Sequence, residues 1–500
     1  MRLTKTRIYV LIVLLACAAY ATWWWAEWYT VELDIGPETT VITGPLNPDG
    51  TVNYVAYINA QLSEGVTPEN NAAIGLARAV GPTLFHEDVR ERAFEIIGMV
   101  PPPEHDDYFE LLDDRHELEF LEATRAPWSA EKLPAIADWL KINAKPLALI
   151  ETATTRRHIY IPLVSLDDPP SAITIMVPGL TELSEAGKAF IARAMLKCAG
   201  QDLAGAWKDL LTARRLARLI SQGGSLIEGL VGMAIEAEAC SACRVVVAGH
   251  KASAAQLRTW SRELDALAPL TDIRKAMAAE RFSFLDAVMM LYRAQSLAEL
   301  DGDVSTMGAV WVDWNEVLRR GNAWYDRSQA ASALRDIAER HARLKEMEHD
   351  LEKMRTEVSG GSVLDVIRTL TPPGRRRQVT ETVTVHLLSV VYPSLTRIAD
   401  NHDRVVMESE MLQVAAVLAL HKAETGRFPA KPADLAPKYL KALPRDRFSG
   451  KALVYKREGK GCVVYSVGLN LTDDGGIDNR GDEDVDPDDE KDDIVIRFTR

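Results

Sequence analysis

The sequence predicts a mainly α protein with an N-terminal transmembrane helix, a large helical extracytoplasmic body and a small α+β head at the C-terminus. Three observations carry this. A single apolar run stands at the N-terminus, from Ile8 to Ala26. Long stretches between 181 and 424 repeat apolar residues every three or four positions, the period of an amphipathic helix. Short β-branched runs bracketed by glycine turns are concentrated after residue 450.

The N-terminal run is an address. Arg2, Lys5 and Arg7 precede it, and Trp23, Trp24, Trp25, Trp28 and Tyr29 close it. Nineteen residues at helical rise span about 28 Å, one hydrocarbon core. Bases on the near side and an aromatic belt on the far side place residues 1–7 in the cytoplasm and an anchor over 8–28. The chain is expected in the cell membrane as a single-pass protein, with its bulk outside the cytoplasm. Two rival readings exist. Leu14-Leu15-Ala16-Cys17 resembles a lipobox, and the Ala-rich stretch 16–21 is compatible with a cleavage site. The apolar run continues well past Cys17, which favours the uncleaved anchor.

Residues 29–52 carry Gly36-Pro37, Gly44-Pro45 and Asn47-Pro48-Asp49-Gly50 and read as a spacer. Residues 53–180 form a mixed, mostly helical region. Within it 70–79 and 87–97 show helical spacing, whereas 159–166 and 172–177 show strand-like β-branched runs. Residues 181–330 form a helical domain. Ala186–Ala199 and Leu203–Ile220 make a helical pair around Gly200-Gln201-Asp202, and Leu226–Val247 is a sparsely charged core helix. Phe190, Ala194, Ala206, Leu210 and Ala213 fall where a tetratricopeptide unit places its packing residues, but Arg193 and Lys197 occupy other consensus positions and no second copy follows at 34 residues. A generic helical hairpin and a repeat unit both remain open.

Residues 331–410 read as a long helical arm and a connecting helix. Leu334, Ile337, His341, Leu344, Met347, Leu351, Met354 and Val358 form one stripe, suited to an antiparallel hairpin or short coiled coil. Pro372-Pro373-Gly374-Arg375-Arg376-Arg377 is expected as an exposed hinge, and a second helical pattern runs from Val383 to Glu424, interrupted by Pro393.

The chain has 500 residues, 47% of them hydrophobic and 26% charged, with a net charge of −14. This is ordinary globular composition and excludes a disordered chain and a polytopic membrane protein. Twelve acids and two bases lie within 473–493, so the rest of the chain carries 60 acids and 56 bases, or −4. No clustered basic face points to nucleic acid. Five cysteines are too few for a disulfide framework. Cys240-Ser241-Ala242-Cys243 lies deep in an apolar helix rather than opening one, which reads as buried core thiols. His86-Glu87-Asp88, Glu104-His105-Asp106-Asp107 and His116-Glu117 lack zinc-site spacing. Ser129 and Lys132 match S-x-x-K, a pattern expected by chance, and no nucleophile elbow, Walker loop or dinucleotide fingerprint occurs. No catalytic motif is found, so the chain is not expected to be an enzyme.

Residues 411–500 differ in kind. A helix over Met411–Glu424 leads into Gly426-Arg427-Phe428-Pro429, Asp434-Leu435, Tyr439-Leu440 and Leu443-Pro444-Arg445-Asp446-Arg447-Phe448-Ser449-Gly450. Strands over 452–456 and 462–467 flank Gly459-Lys460-Gly461, Tyr465-Ser466-Val467-Gly468 opens an acidic loop, and Asp493-Ile494-Val495-Ile496 begins a last strand. This order resembles the globular head of type II secretion major pseudopilins. In that family the helix joins a membrane leader directly; here the membrane segment lies some 385 residues upstream and no prepilin leader is seen. The resemblance implies that the loop wraps calcium, with Asn470, Asp473, Asp492 and Asp493 as ligands. Calcium takes six to eight hard oxygens, and crowded carboxylates repel without a cation. The alternative is a solvated acidic loop. Asp482, Asp484, Asp486 and Asp493 also match positions 1, 3, 5 and 12 of an EF-type loop, but Pro487 stands where that loop needs glycine.

The function expected is a membrane-anchored extracytoplasmic binding or scaffolding protein with protein partners in the envelope. The alternative is an extracytoplasmic hydrolase-like enzyme whose site gathers His86, His105 or His158 with carboxylates; a helical groove without such convergence favours the scaffold.

Overall fold

The computed structural model describes residues 16–17, 20–21, 32–175, 177, 179–249, 252–298, 300, 308–359, 372–480, 485–486 and 490–498. The protein is mainly helical, with one small antiparallel sheet. Most of the anchor expected over 8–28 lies outside these residues, and among the described residues no helix is long and apolar enough to cross a membrane. The helices, in chain order, are α1 (Tyr54–Leu62), α2 (Ala72–Val80), α3 (Arg90–Ile96), α4 (Glu117–Arg125), α5 (Pro134–Ile142), α6 (Ala144–Ala153), α7 (Leu180–Ala199), α8 (Leu203–Ile220), α9 (Leu226–Gly249), α10 (Ala254–Asp265), α11 (Ile273–Ala294), α12 (Trp314–Ser332), α13 (Ile337–Ser359) and α14 (Pro372–Thr425). Strands β1 (Val454–Glu458), β2 (Gly461–Ser466) and β3 (Ile494–Phe498) form a sheet of that order, antiparallel throughout, with Tyr455 opposite Val464 and Val464 opposite Ile496.

The chain divides into two compact units. One comprises 1–53, 281–327 and 347–392; the other comprises 54–280, 328–346 and 393–500. In the first, the turn-rich stretch expected as a spacer is docked rather than free-standing. Asn315 takes its backbone at both ends of one peptide run, donating to the Glu32 carbonyl at 3.0 Å and accepting from Asp34 N–H at 2.8 Å. Asn322 donates to the carbonyls of Glu38 and Thr39. Unsatisfied backbone groups are costly to bury, and these amides supply the missing partners. The expected hinge at 372–377 is instead the first turn of α14. Proline is tolerated there because first-turn N–H groups have no helical partner to lose. Arg375 stacks 4.8 Å from the Trp311 ring and Arg376 reaches Asp313 at 3.5 Å. The helix also continues through Pro393, with Leu388 before it and Ile398 after it buried and Val390 exposed.

In the second unit, α7, α8 and α9 form a three-helix bundle; α8 has the expected bounds, α9 runs two residues past Val247, and α7 begins six residues before the expected Ala186. Phe190, Ala194, Ala206, Leu210 and Ala213 are all fully buried. Arg193 and Lys197, the two departures from the repeat consensus, both bind the buried carboxylate of Asp209, at 2.7 Å each. Gly232 sets the α8–α9 approach: a Cβ there would lie 2.0 Å from Ser221 Oγ and 2.5 Å from the Ala217 carbonyl oxygen.

The strand-like runs at 159–166 and 172–177 do not join a ladder among the described residues. The first is extended but paired by side chains. Asn71, which caps α2 through Ala73 N–H, donates to the Tyr160 carbonyl at 3.0 Å and accepts from Tyr160 N–H at 2.9 Å. Asn59 on α1 does the same to Leu163, at 2.7 and 2.8 Å. An amide carries one donor and one acceptor side, as a backbone peptide does, so two helix-borne asparagines stand in for a partner strand.

The stripe of α13 is buried at Ile337, Leu344, Met347 and Leu351. Within the second unit its start runs antiparallel to α14, with Arg340 bound to Asp403 and His341 Nδ1 2.9 Å from Asp400. Arg343 pairs with Glu346 at 3.1 Å on the exposed face of α13. The last part of α14 is shared between bundle and sheet. Met411, Leu412, Ala415 and Leu418 belong to one hydrophobic core with the bundle residues Leu210 and Ile235 and the sheet residues Val464 and Ile496. Gln413 donates to the Ser261 carbonyl at 3.1 Å and Arg258 reaches Glu424 at 2.5 Å. Residues 411–500 are therefore built into the helical unit.

Candidate functional site

The acidic loop leaves β2 through Gly468, whose φ of 66° and close approach to Asp492 suit glycine. Asp446, fully buried in the preceding turn, holds this exit by accepting from Ser466 Oγ and Val467 N–H at 3.0 Å each. The loop closes where Asp478 bridges to Asp492 and Asn479 N–H donates to the Lys491 carbonyl at 3.0 Å. All four residues expected to bind a metal lie here. Asp492 Oδ2 accepts from Leu469 and Asn470 N–H, at 2.8 and 3.2 Å, and Asp493 Oδ2 accepts from Gly476 N–H at 2.7 Å. Asp473 Oδ1 accepts from the Tyr465 hydroxyl at 2.6 Å and Gly475 N–H at 3.0 Å. Asn470 Oδ1 accepts from Thr472 N–H at 2.7 Å, and its Nδ2 donates to Asp474 at 2.9 Å.

Asp492 is 8% exposed and Asp493 is 0% exposed, and the Oδ1 atom of each is buried without a hydrogen-bond partner. Burial pushes both carboxyls above their ordinary range, against the pull of the loop amides. Asp473 moves the other way, held low by the Tyr465 hydroxyl and the Gly475 amide. The donors are hard oxygens, which suit calcium and not a soft metal. Two orphaned carboxylate oxygens leave acceptor capacity in the loop that such an ion could use; Asn470 Oδ1 and Asp473 Oδ1 are engaged locally. Among the described residues, no three His, Cys, Asp or Glu side chains are gathered to hold a metal, so backbone carbonyls would have to complete the shell.

Sequence reasoning missed Arg404. From α14 it donates to the Asp492 carbonyl at 3.0 Å and to Asp478 Oδ2 at 2.6 Å, pinning the loop closure. It lies 88 residues from Asp492, and the only local sign of it is a helical Arg404–Glu408 pair.

The histidines do not converge. His86 faces its neighbour Asp88, His116 lies 3.4 Å from Glu119, His105 and His158 are exposed, and the His158 carbonyl accepts from Ala72 N–H. Lys132 of the S-x-x-K match pairs with Glu122. Cys240 and Cys243 are free and fully buried, and burial pushes both thiols up, Cys243 to about 12. They border an ionic core the sequence did not announce. Glu236, fully buried, binds Arg214 at 2.8 Å and Arg218 at 2.5 Å, and Arg214 also reaches Ser409 of α14 at 2.7 Å.

A cleft of about 510 Å³ opens between α4, α7 and α9. Phe120, Leu180 and Val231 line it, with Asp114, Glu117 and Glu185. None of the histidines singled out above is among its walls.

No family model matches this chain, and no curated protein or solved structure matches it either.

Proposed function

We propose that this protein is a membrane-anchored extracytoplasmic scaffold whose C-terminal region closes around a calcium ion. The observation that carries the calcium reading is the pair of buried, partnerless oxygens, Asp492 Oδ1 and Asp493 Oδ1, in one acidic loop. A buried carboxylate oxygen without a partner is costly, and a divalent cation removes that cost while relieving repulsion among its neighbours. Helix, three-stranded antiparallel sheet and an acidic loop between the last two strands follow the order of a pseudopilin head, which supports that resemblance. The anchor rests on Arg2, Lys5 and Arg7 ahead of the apolar run and the tryptophans after it. Scaffolding is preferred to catalysis because His86, His105 and His158 gather with no carboxylate set in a pocket.

The test is thermal unfolding of the full chain in calcium and in chelator. At calcium about 100-fold over its dissociation constant, binding adds about 2.7 kcal/mol, or about 4 °C for a unit of this size. Asp492→Ala and Asp493→Ala should abolish the shift, whereas Asp138→Ala, exposed on α5, should leave it intact. Superimposable melts with calcium and chelator would leave only a solvated acidic loop.

A further inference from the structure

We propose that the cleft between α4, α7 and α9 is the docking site for a basic amphipathic helix of a partner protein. The floor is apolar: Phe120 is 9% exposed and Leu180 is 8% exposed, and Val231 of α9 rises beside them. Four carboxylates, Asp113, Asp114, Glu117 and Glu185, line it against one ammonium, Lys188. Lys188 itself leans 3.9 Å from Glu238 outside the cleft, and Asp113 is held by Arg115. The charge left facing an incoming ligand is therefore negative, set on the wall formed by the start of α4.

The apolar surface does not stop at the cleft. Leu118 and Leu121, one turn apart on α4, are 82% and 43% exposed; Ile227 and Leu230, one turn apart on α9, are 63% and 37% exposed. Large aliphatics exposed in pairs along two neighbouring helices, beside an apolar hollow with an acidic rim, mark an interaction surface rather than isolated exposure. Ile227 is itself part of the cleft wall, whereas Leu118, Leu121 and Leu230 lie outside it, so a small cationic molecule would fill the hollow and leave those three side chains wet. A helix with apolar residues at i, i+3, i+4 and i+7 covers hollow and flanks together, and lysines or arginines on its margin meet Asp114 and Glu117. The inference rests on the scaffolding reading only for the source of the helix, since the cleft lies in the bundle and not in the acidic loop.

The probe is a fluorescein-labelled Leu/Lys peptide of about 18 residues with leucines on one helical face. It is titrated by anisotropy against the full-length chain in zwitterionic nanodiscs, with empty discs as blank. Two control peptides are a shuffled sequence of the same composition without an apolar face and a Leu/Glu counterpart. Saturable binding of the Leu/Lys helix is expected, with the shuffled and Leu/Glu peptides weaker. Ile227→Lys and the double change Asp114→Lys with Glu117→Lys should each weaken it at least roughly tenfold, the scale of losing one buried aliphatic anchor. These positions are exposed, so each variant should melt as wild type does, and that is checked first. Absence of saturable binding, equal binding by wild type and Ile227→Lys, or equally tight binding of the Leu/Glu peptide would overturn the proposal. Each titration is run in calcium and in chelator. Failure in both arms alongside an intact calcium-dependent melting shift removes the docking site and leaves the calcium reading standing.

Discussion

Replacing Glu236 with glutamine tests the ionic core most directly. The change is nearly isosteric, so it opens no cavity; it removes one negative charge between two guanidiniums. Arg214 is 1% exposed and Arg218 is 6% exposed, so neither can turn to water. Glu236 Oε1 accepts from Arg214 Nε and Nη2 at 3.0 and 2.8 Å, and Oε2 accepts from Arg218 Nη1 at 2.5 Å. Breaking a buried pair by removing one partner costs about 3–5 kcal/mol, mostly the stranded charge. For a unit of several hundred residues that is a fall of about 4–7 °C. Urea unfolding followed by tryptophan fluorescence reads it, since Trp207 and Trp260 stack 4.5 Å apart in the same core. The triple change Glu236→Leu, Arg214→Met, Arg218→Met should recover most of the loss, because it removes charges rather than stranding them. The pH dependence has a defined sign. Burial pushes the Glu236 carboxyl up, but the two guanidiniums outweigh it and leave its pKa below the ordinary 4.5. Its contribution is thus complete above the unfolded value and disappears as pH falls through the lower folded value. Wild type should keep its advantage over Glu236→Gln at neutral pH and lose it only in acid. A Glu236→Gln protein within 1 kcal/mol of wild type at pH 7 would refute the argument.

Asn71→Ala should cost about 2–4 kcal/mol by orphaning Tyr160 N–H and C=O, read by the same unfolding experiment; a loss under 1 kcal/mol would show that the extended run is held by burial alone. Cys240→Ala with Cys243→Ala should lower stability by about 1–2 kcal/mol through lost packing, and recovery of a reversible Cys240–Cys243 disulfide from the purified protein would contradict their assignment as core thiols. A reporter fused after Arg500 should read the extracytoplasmic side; cytoplasmic reporter activity, or release of the protein by carbonate washing, would reject the anchor.

Much of the second unit was legible because its signals are periodic. The bounds of α8 and the turn at Gly200 follow from apolar spacing, although α7 begins six residues before its expected start, and β2 falls within a residue or two of its expected place because glycine turns flank it. The failures share a cause: a local signal outweighed by a distant contact. The prolines at 372–373 read as a break until Asp313 and Trp311 anchor the arginines that follow. The β-branched run at 159–166 has strand chemistry, but its partners are side chains about 90 to 104 residues away. At the loop, Asp492 and Asp493 were legible as carboxylates entering an apolar strand. Arg404 was not, because nothing in the spacing of a helix says which loop its side chain will meet. The cleft was invisible for the same reason: its walls come from three helices separated by tens of residues.

The asparagine pairing at Tyr160 and Leu163 has a consequence for self-association. A run such as Ile159-Tyr160-Ile161-Pro162-Leu163-Val164 would, beside another strand, present a backbone edge onto which a further chain can register, and each added chain would offer the next edge. Asn71 and Asn59 satisfy that edge with amides that end in helices, and a side chain has no second edge to pass on. The pairing is complete after one partner and cannot be copied. The chain thereby keeps a hydrophobic, extended stretch inside an otherwise helical unit without creating a seed for growth, and loss of either asparagine would expose one rung of it to whatever backbone comes near.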